Sequence, residues 1–167
     1  MAAKIDIFSV NLLGKEIKPV TTAKDLGLIM DANLTFNEHV ISTVSSCISR
    51  LGQINRVKHA FDSHTLLIII NELVFSTLFY CWNVWSNTSQ GNLDKLKSIQ
   101  NLACRIITNT KKFDHITPQT RILGWLSVRQ HLYLRFASLA FKCMIGCVPD
   151  YLCKKIVKRC DISLRNN

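Results

Sequence analysis

The chain has 167 residues, long enough for one domain with a real core, and its 48% hydrophobic against 19% charged residues excludes intrinsic disorder. Its net charge of +10 is unevenly spread: residues 1–60 carry seven Lys/Arg against five Asp/Glu, residues 61–90 none against two, and residues 91–167 fourteen against four. A C-terminal half that holds the whole positive excess points to a polyanionic partner, because each neutralised phosphate releases condensed counterions.

Residues 4–30 hold short apolar runs, IDIFSV and then DLGLIM, around the polar stretch GKEIKPVTTAK. This predicts two or three strands of a small β element, with Gly14 and Pro19 at turns and Gly27 interrupting a strand pattern. Thr35 and Glu38 have capping-box spacing and open a helix with Val40, Val44, Cys47, Ile48, Leu51 and Ile54 on its apolar face. Gly52 weakens its last turns. A second helix is expected after Asp62 or Ser63, running through LLIIINELVFSTLFYCWNVW and apolar nearly all round, as a central core helix is. SNTSQGN, residues 86–92, reads as a loop.

The third helix, Leu93 to Thr110, places Leu93, Leu96, Ile99, Ala103, Ile106 and Ile107 on one face and turns Lys95, Lys97, Asn101 and Arg105 elsewhere. Thr117 followed by Pro118 predicts an N-cap and a first-turn proline for a short helix that Gly124 ends. Ser127 and Gln130 form a second capping-box pair, opening a helix that turns Val128, Leu132, Phe136, Leu139 and Met144 inward and closes at Gly146 and Pro149. A last helix over DYLCKKIVKRC carries Lys154, Lys155, Lys158 and Arg159 before a frayed end. The expected fold is mainly α: a β hairpin or meander over residues 1–34, a bundle of about five to six helices over 35–160, and a frayed tail at 161–167.

The search for chemistry returns little. The eleven carboxylates form no paired motif, the six glycines make no phosphate-cradling loop, no G-x-S-x-G occurs, and no two of the five histidines have metal-helix spacing. The seven cysteines are odd in number and mostly set in apolar helical patterns, which predicts buried thiols in a reducing, intracellular compartment. Cys143, Cys147, Cys153 and Cys160 lack zinc-finger spacing. The opening MAAKIDIFSV has no apolar core of the kind that marks a secretory leader. Leu66 to Trp85 is apolar enough to raise a membrane span, but Asn71 and Glu72 within it favour a buried helix. The expectation is therefore no catalytic residue, no metal and no cofactor.

Five blocks in fixed order carry a family likeness: AKDLGLIMDANLTFNEHV, FYCWNVW, LDKLKSIQNLACRIIT, ITPQTRILGWLSVRQHLYLR and GCVPDYL, together spanning residues 23–152. They resemble the C-terminal region of the reverse transcriptases of non-LTR (LINE-type) retrotransposons. The resemblance implies that Leu26 and Gly27 belong to the primer-grip hairpin, the last β element of the palm, and that the following helices form a thumb-like unit. Such a thumb lies along the minor-groove side of a template-primer duplex. The family often has an aromatic before this Leu-Gly pair; Asp25 stands there in this chain. The resemblance also implies that the fingers, the aromatic-x-Asp-Asp aspartates of the palm and an endonuclease would lie before Met1, so the chain is expected to hold a duplex without polymerising.

On this reading Lys95, Lys97 and Arg105 approach phosphates, with Lys111, Lys112 and Arg129 in a second tier. These contacts position an RNA-DNA hybrid or RNA duplex rather than read its sequence. Trp82, Trp85 and Trp125 are expected in the core rather than against bases. Three other readings compete: a helical protein-interaction module that self-associates through exposed apolar surface, a decayed fragment with no activity, and a helix-turn-helix reader whose mark would be sequence selectivity. A primer-grip hairpin without its parent sheet is expected to have unpaired edges and poor order over residues 1–30.

Overall fold

The computed structural model describes residues 9–154. Its N-terminal part is two separate antiparallel hairpins rather than a meander. In the first, β1 (Val10–Leu12) pairs with β2 (Lys15–Ile17) through a Leu13-Gly14 turn in which both residues have positive φ. In the second, β3 (Thr22–Asp25) pairs with β4 (Leu28–Asp31) across Leu26 and Gly27, at φ 43° and 87°. Two positive-φ residues match the right-handed strand twist, which is why both turns contain a glycine. The residues Ile5 to Phe8 of the expected first strand lie outside the described part.

The two hairpins differ in order-producing contacts. Every residue of β1 and β2 is exposed. In the second hairpin Leu28 is buried in the main core and Met30 packs against it. The cover that the second hairpin would need on one face comes from the helices, through Leu28 and Met30.

Helix α1 (Asn37–Val57) does not start on the Thr35-Glu38 capping box. Phe36 occupies the cap position in the left-handed region with no side-chain cap bond, and the Asp31 carboxylate at the end of β4 gathers the turn that leads into the helix. It accepts from the backbone N–H of Phe36 at 2.7 Å, of Thr35 at 3.0 Å and of Asn33 at 3.1 Å, and from the Thr35 hydroxyl at 3.0 Å. Thr35 is itself held by Asp31, and one carboxylate can organise the whole turn because it accepts several charge-assisted bonds at once. Val40, Cys47, Leu51 and Ile54 are buried and Val44 half-buried as expected, but Ile48 is exposed.

The long apolar helix expected over residues 63–85 is broken. α2 (Ser63–Ile70), capped by Asp62, passes into a π-helical segment (Asn71–Phe75) and α3 (Ser76–Leu78). Cys81 then takes a left-handed conformation and α4 (Trp82–Trp85) starts a new direction. The Arg50 guanidinium of α1 donates to the Leu73 carbonyl of the π-helical segment and to the Thr77 hydroxyl. The break at Cys81 lets Trp85 donate its indole N–H to the Tyr80 carbonyl at 2.8 Å. It also sets Trp82 and Trp85 edge to face, with ring centroids 4.3 Å apart, both fully buried. Both tryptophans are core, as expected.

Helix α5 (Gln90–Thr108) begins three residues before the expected start, capped by Ser89, and ends at Asn109 in the left-handed region. Leu96, Ile99, Ala103, Ile106 and Ile107 are buried, and Leu93 packs against the core. It lies parallel to α1: Asn92 donates to Asn37 Oδ1 near the N-terminal ends, and Lys58 donates to Asn109 Oδ1 near the C-terminal ends. α6 (Thr117–Ile122) is capped at Ile116, so Thr117 is its first helical residue and not its cap; Gly124 ends it at φ 67°. α7 (Val128–Met144) opens on the expected box, with both Ser127 and Gln130 bonds formed. Its inward face is narrower than expected: Val128 is buried and Leu132 and Leu139 half-buried, but Phe136 and Met144 are exposed. α8 (Asp150–Cys153) follows Pro149; Lys155, Lys158 and Arg159 of the expected last helix, and Cys160, lie outside the described residues.

Mainly helical architecture with a small N-terminal β part is thus what the chain adopts. No helix among the described residues is long and apolar enough to cross a membrane, and Glu72 is exposed. Cys47, Cys104 and Cys143 are buried, whereas Cys147 is exposed against the expectation of sequestered thiols. Burial pushes the Cys47 thiol up to about 11, well away from a reactive thiolate.

Candidate nucleic-acid interface

The structure sorts the sequence-derived candidates into separate places. At the hairpin tip, Leu26 is exposed and its carbonyl accepts from the Tyr80 hydroxyl at 3.0 Å. A side-chain carbon added to Gly27 would sit 3.5 Å from the Tyr80 ring, so the ring covers the turn from one side. Tyr80 comes just before the Cys81 break, and this fixes the tip against the helices without a sheet.

Lys95 lies beside a buried polar hub rather than in a groove. Its ammonium donates to Asn92 Oδ1 at 3.2 Å, while the Asn92 amide donates to Asn37 at 2.6 Å and to the Thr88 hydroxyl at 2.8 Å. Thr88 in turn donates to the Thr35 carbonyl at 3.0 Å. Together with Asp31, this chain of bonds ties the second hairpin, the start of α1 and the start of α5 into one unit.

Arg105 has local work. Its guanidinium donates to the backbone carbonyls of Lys111 and, at 3.0 Å, Asp114, and so holds the turn that follows α5. The Asp114 carboxylate accepts from the Lys111 backbone N–H at 3.1 Å. Lys111 and Lys112 are exposed on that turn, with the Lys112 ammonium 5.8 Å from the Phe113 ring centroid. Arg105 also lines a smaller cleft of about 310 Å³ between α1 and α5, with Lys58 beside it.

The remaining pair, Lys97 and Arg129, does converge. α5, α6 and the start of α7 enclose a groove of about 600 Å³, lined by Lys97, Arg129 and a third cation, Arg121 of α6. Gln100 donates to the Leu126 carbonyl at 2.6 Å and pins the loop that forms its floor. Asn101, Thr117 and Thr120 add polar groups, and Asp94 is the single acid among the lining residues. Arg129 donates to Gln90 Oε1, and Gln90 donates to Asp94 at 2.9 Å, so an amide stands between the arginine and that acid. The one ion pair among the described residues is Lys18 with Glu16 at 3.8 Å, on the first hairpin. None of the three groove cations forms an ion pair among the described residues, which leaves their charge open to an external anion.

Arg121 was not picked out from the sequence. It stands in the ITPQTRILGW block and in the basic half of the chain, but its approach to Lys97 depends on α6 folding back onto α5, which no local spacing shows. Trp125 lines the same groove and packs against Phe75 at a centroid distance of 4.7 Å. Its indole N–H is buried without a partner among the described residues, as is that of Trp82. Trp125, expected in the core, is half-buried with its ring against Phe75.

Lys97, Arg121 and Arg129 thus line one groove, and the second hairpin is docked on the helices. Over 126 residues the chain is 25% identical to a protein of Drosophila melanogaster described as "Probable RNA-directed DNA polymerase from transposon BS". The match covers 74% of this chain and 14% of that protein, so the chain spans only a small part of its relative's length. No family model matches the chain, and no solved structure does. The likeness supports a reverse-transcriptase-related origin in a transposon.

Proposed function

We propose that the chain is the primer-grip and thumb-like part of a non-LTR retrotransposon reverse transcriptase, and that it holds the sugar-phosphate backbone of an RNA-DNA or RNA duplex without reading sequence. The observation that carries this reading is the convergence of Lys97, Arg121 and Arg129 on one groove with no ion pair to any of them among the described residues. Phosphate oxygens are the ligands that such a set recognises, and guanidinium groups bind them in a bidentate manner. The sequence contains no aromatic-x-Asp-Asp, so the holding surface brings no polymerase chemistry with it.

In this reading the docked Leu26-Gly27 tip supports the strand end, and the polar hub around Asn92 keeps the tip and the basic helix in fixed relation. Lys95, Lys111 and Lys112 add outer, screened charge. Arg105 acts mainly by holding its turn. The test is the affinity for a labelled RNA-DNA hybrid at several salt concentrations, measured by fluorescence anisotropy. Binding that falls steeply with salt and is the same for unrelated sequences agrees with the proposal; salt-insensitive or sequence-selective binding contradicts it.

A further inference from the structure

Among the described residues nothing covers the outward face of α7. Tyr133, Leu134, Phe136, Phe141, Met144 and Ile145 are between 42% and 68% exposed. At about 100° per residue they occupy one continuous half of the helix. No charge interrupts that half between Tyr133 and Ile145: Arg135 and Lys142 project from the opposite side, where the Arg135 guanidinium lies 6.0 Å from the Phe79 ring centroid. Exposed apolar surface of this extent marks an interaction site.

The order of residues along this face identifies what covers it. Its centre line is Tyr133, Ala137, Ala140 and Met144, a four-three-four spacing of the kind that two helices use to interlock. The line is self-complementary about the midpoint between Ser138 and Leu139. Ala137 and Ala140 lie equally far from that point, as do Phe136 and Phe141, and Tyr133 and Met144. An antiparallel copy related by a two-fold axis through the midpoint would set Ala137 on the partner's Ala140, small on small where the backbones are closest. It would set Tyr133 on the partner's Met144, an aromatic ring on a polarisable thioether. The six large side chains expose on the order of 700 Å², against the ~800 Å² per partner of a standard interface.

We infer that α7 is the seam of a closed, antiparallel homodimer of this chain. The inference does not rest on the nucleic-acid reading, and its salt dependence has the opposite sign. Two copies, each with a net charge of +10, repel, so added salt tightens the dimer while it weakens phosphate binding.

The test is sedimentation equilibrium of the full chain without nucleic acid, at low and high salt, with Ala137→Glu and the double variant Ala137→Glu/Ala140→Lys alongside. Ala137 is exposed and Glu is a good helix former, so the folded helix content, read by circular dichroism, stays the same. The expected result is a reversible dimer that salt strengthens, weakened about tenfold or more by the single variant and largely regained in the double one, whose Glu and Lys face each other across the two-fold. A monomer at every concentration overturns the inference. So does open-ended association, a dimer indifferent to Ala137→Glu, or a double variant no better than the single.

Discussion

Tyr80 and Leu26, 54 positions apart, are joined by a hydrogen bond of 3.0 Å from the phenol to the backbone carbonyl at the hairpin tip. This bond, with the ring against Gly27, is how a two-stranded ribbon keeps its place on a helical unit. Tyr80→Phe keeps the ring and removes the bond. Amide hydrogen exchange over residues 22–31 should quicken while the core helices keep their protection. Gly27→Ala should destabilise by about 1–2 kcal/mol through its φ of 87°, seen as a lower midpoint in urea unfolding.

Asn92 is almost fully buried and is bonded to Asn37, Thr88 and Lys95. Asn92→Ala leaves the Asn37 and Thr88 groups short of a partner. A loss of about 1–3 kcal/mol in urea unfolding is expected, with α5 still helical. An unchanged midpoint would mean that the hub contributes nothing to holding α1 and α5 together.

What was legible in the sequence followed local rules. The Ser127-Gln130 box, the glycine stops at Gly124 and Gly146, and the buried stripe of α5 are set within a turn or two of helix, and the structure keeps them. The departures come from groups distant in sequence or from faces that periodicity cannot rank. Thr35 does not cap α1 because Asp31, at the end of β4, draws Thr35 and Phe36 into a turn that makes Phe36 the cap residue. Cys81 breaks an otherwise uniform apolar run, and no residue there is a turn former. α7 is apolar on both sides, so its pattern could not tell Leu132 and Leu139, which face inward, from Phe136 and Met144, which do not. In the candidate site, single cations were visible but not their grouping. Lys97 and Arg129 meet only because α6 and α7 return to α5, and the same return brings in Arg121.

Acid should unfold the chain in two stages. Burial lowers His39, and burial with the nearby Arg135 charge lowers His131, from the ordinary 6.5. A histidine lowered in the folded state contributes stability that is present above 6.5 and lost as pH falls below it. Asp31 is held below 3.8, chiefly by the Thr35 backbone N–H, so its contribution is lost only as pH falls below that value. Thermal midpoints measured from pH 8 to pH 3 should decline first below 6.5 and again below 3.8. Asp31→Asn should remove much of the second decline.

Arg105 and Lys97 share a helix but should behave differently. Arg105→Ala frees the carbonyls of Lys111 and Asp114, so local protection over residues 109–114 should fall, with a minor effect on duplex affinity. Lys97→Ala should leave that turn intact and weaken duplex binding. Equal loss of affinity in both would argue that the two cations serve one surface.

The central claim is that Lys97, Arg121 and Arg129 together hold phosphates. Its most direct test is the slope of log affinity against log salt for an RNA-DNA hybrid, compared between the wild-type chain and a Lys97→Ala/Arg121→Ala/Arg129→Ala variant. Each lost phosphate contact removes roughly 0.7–0.9 from the slope, so the variant should bind more weakly and its slope should be shallower by about 2–3. A variant with the wild-type slope and affinity would contradict the assignment of this groove to a nucleic-acid backbone.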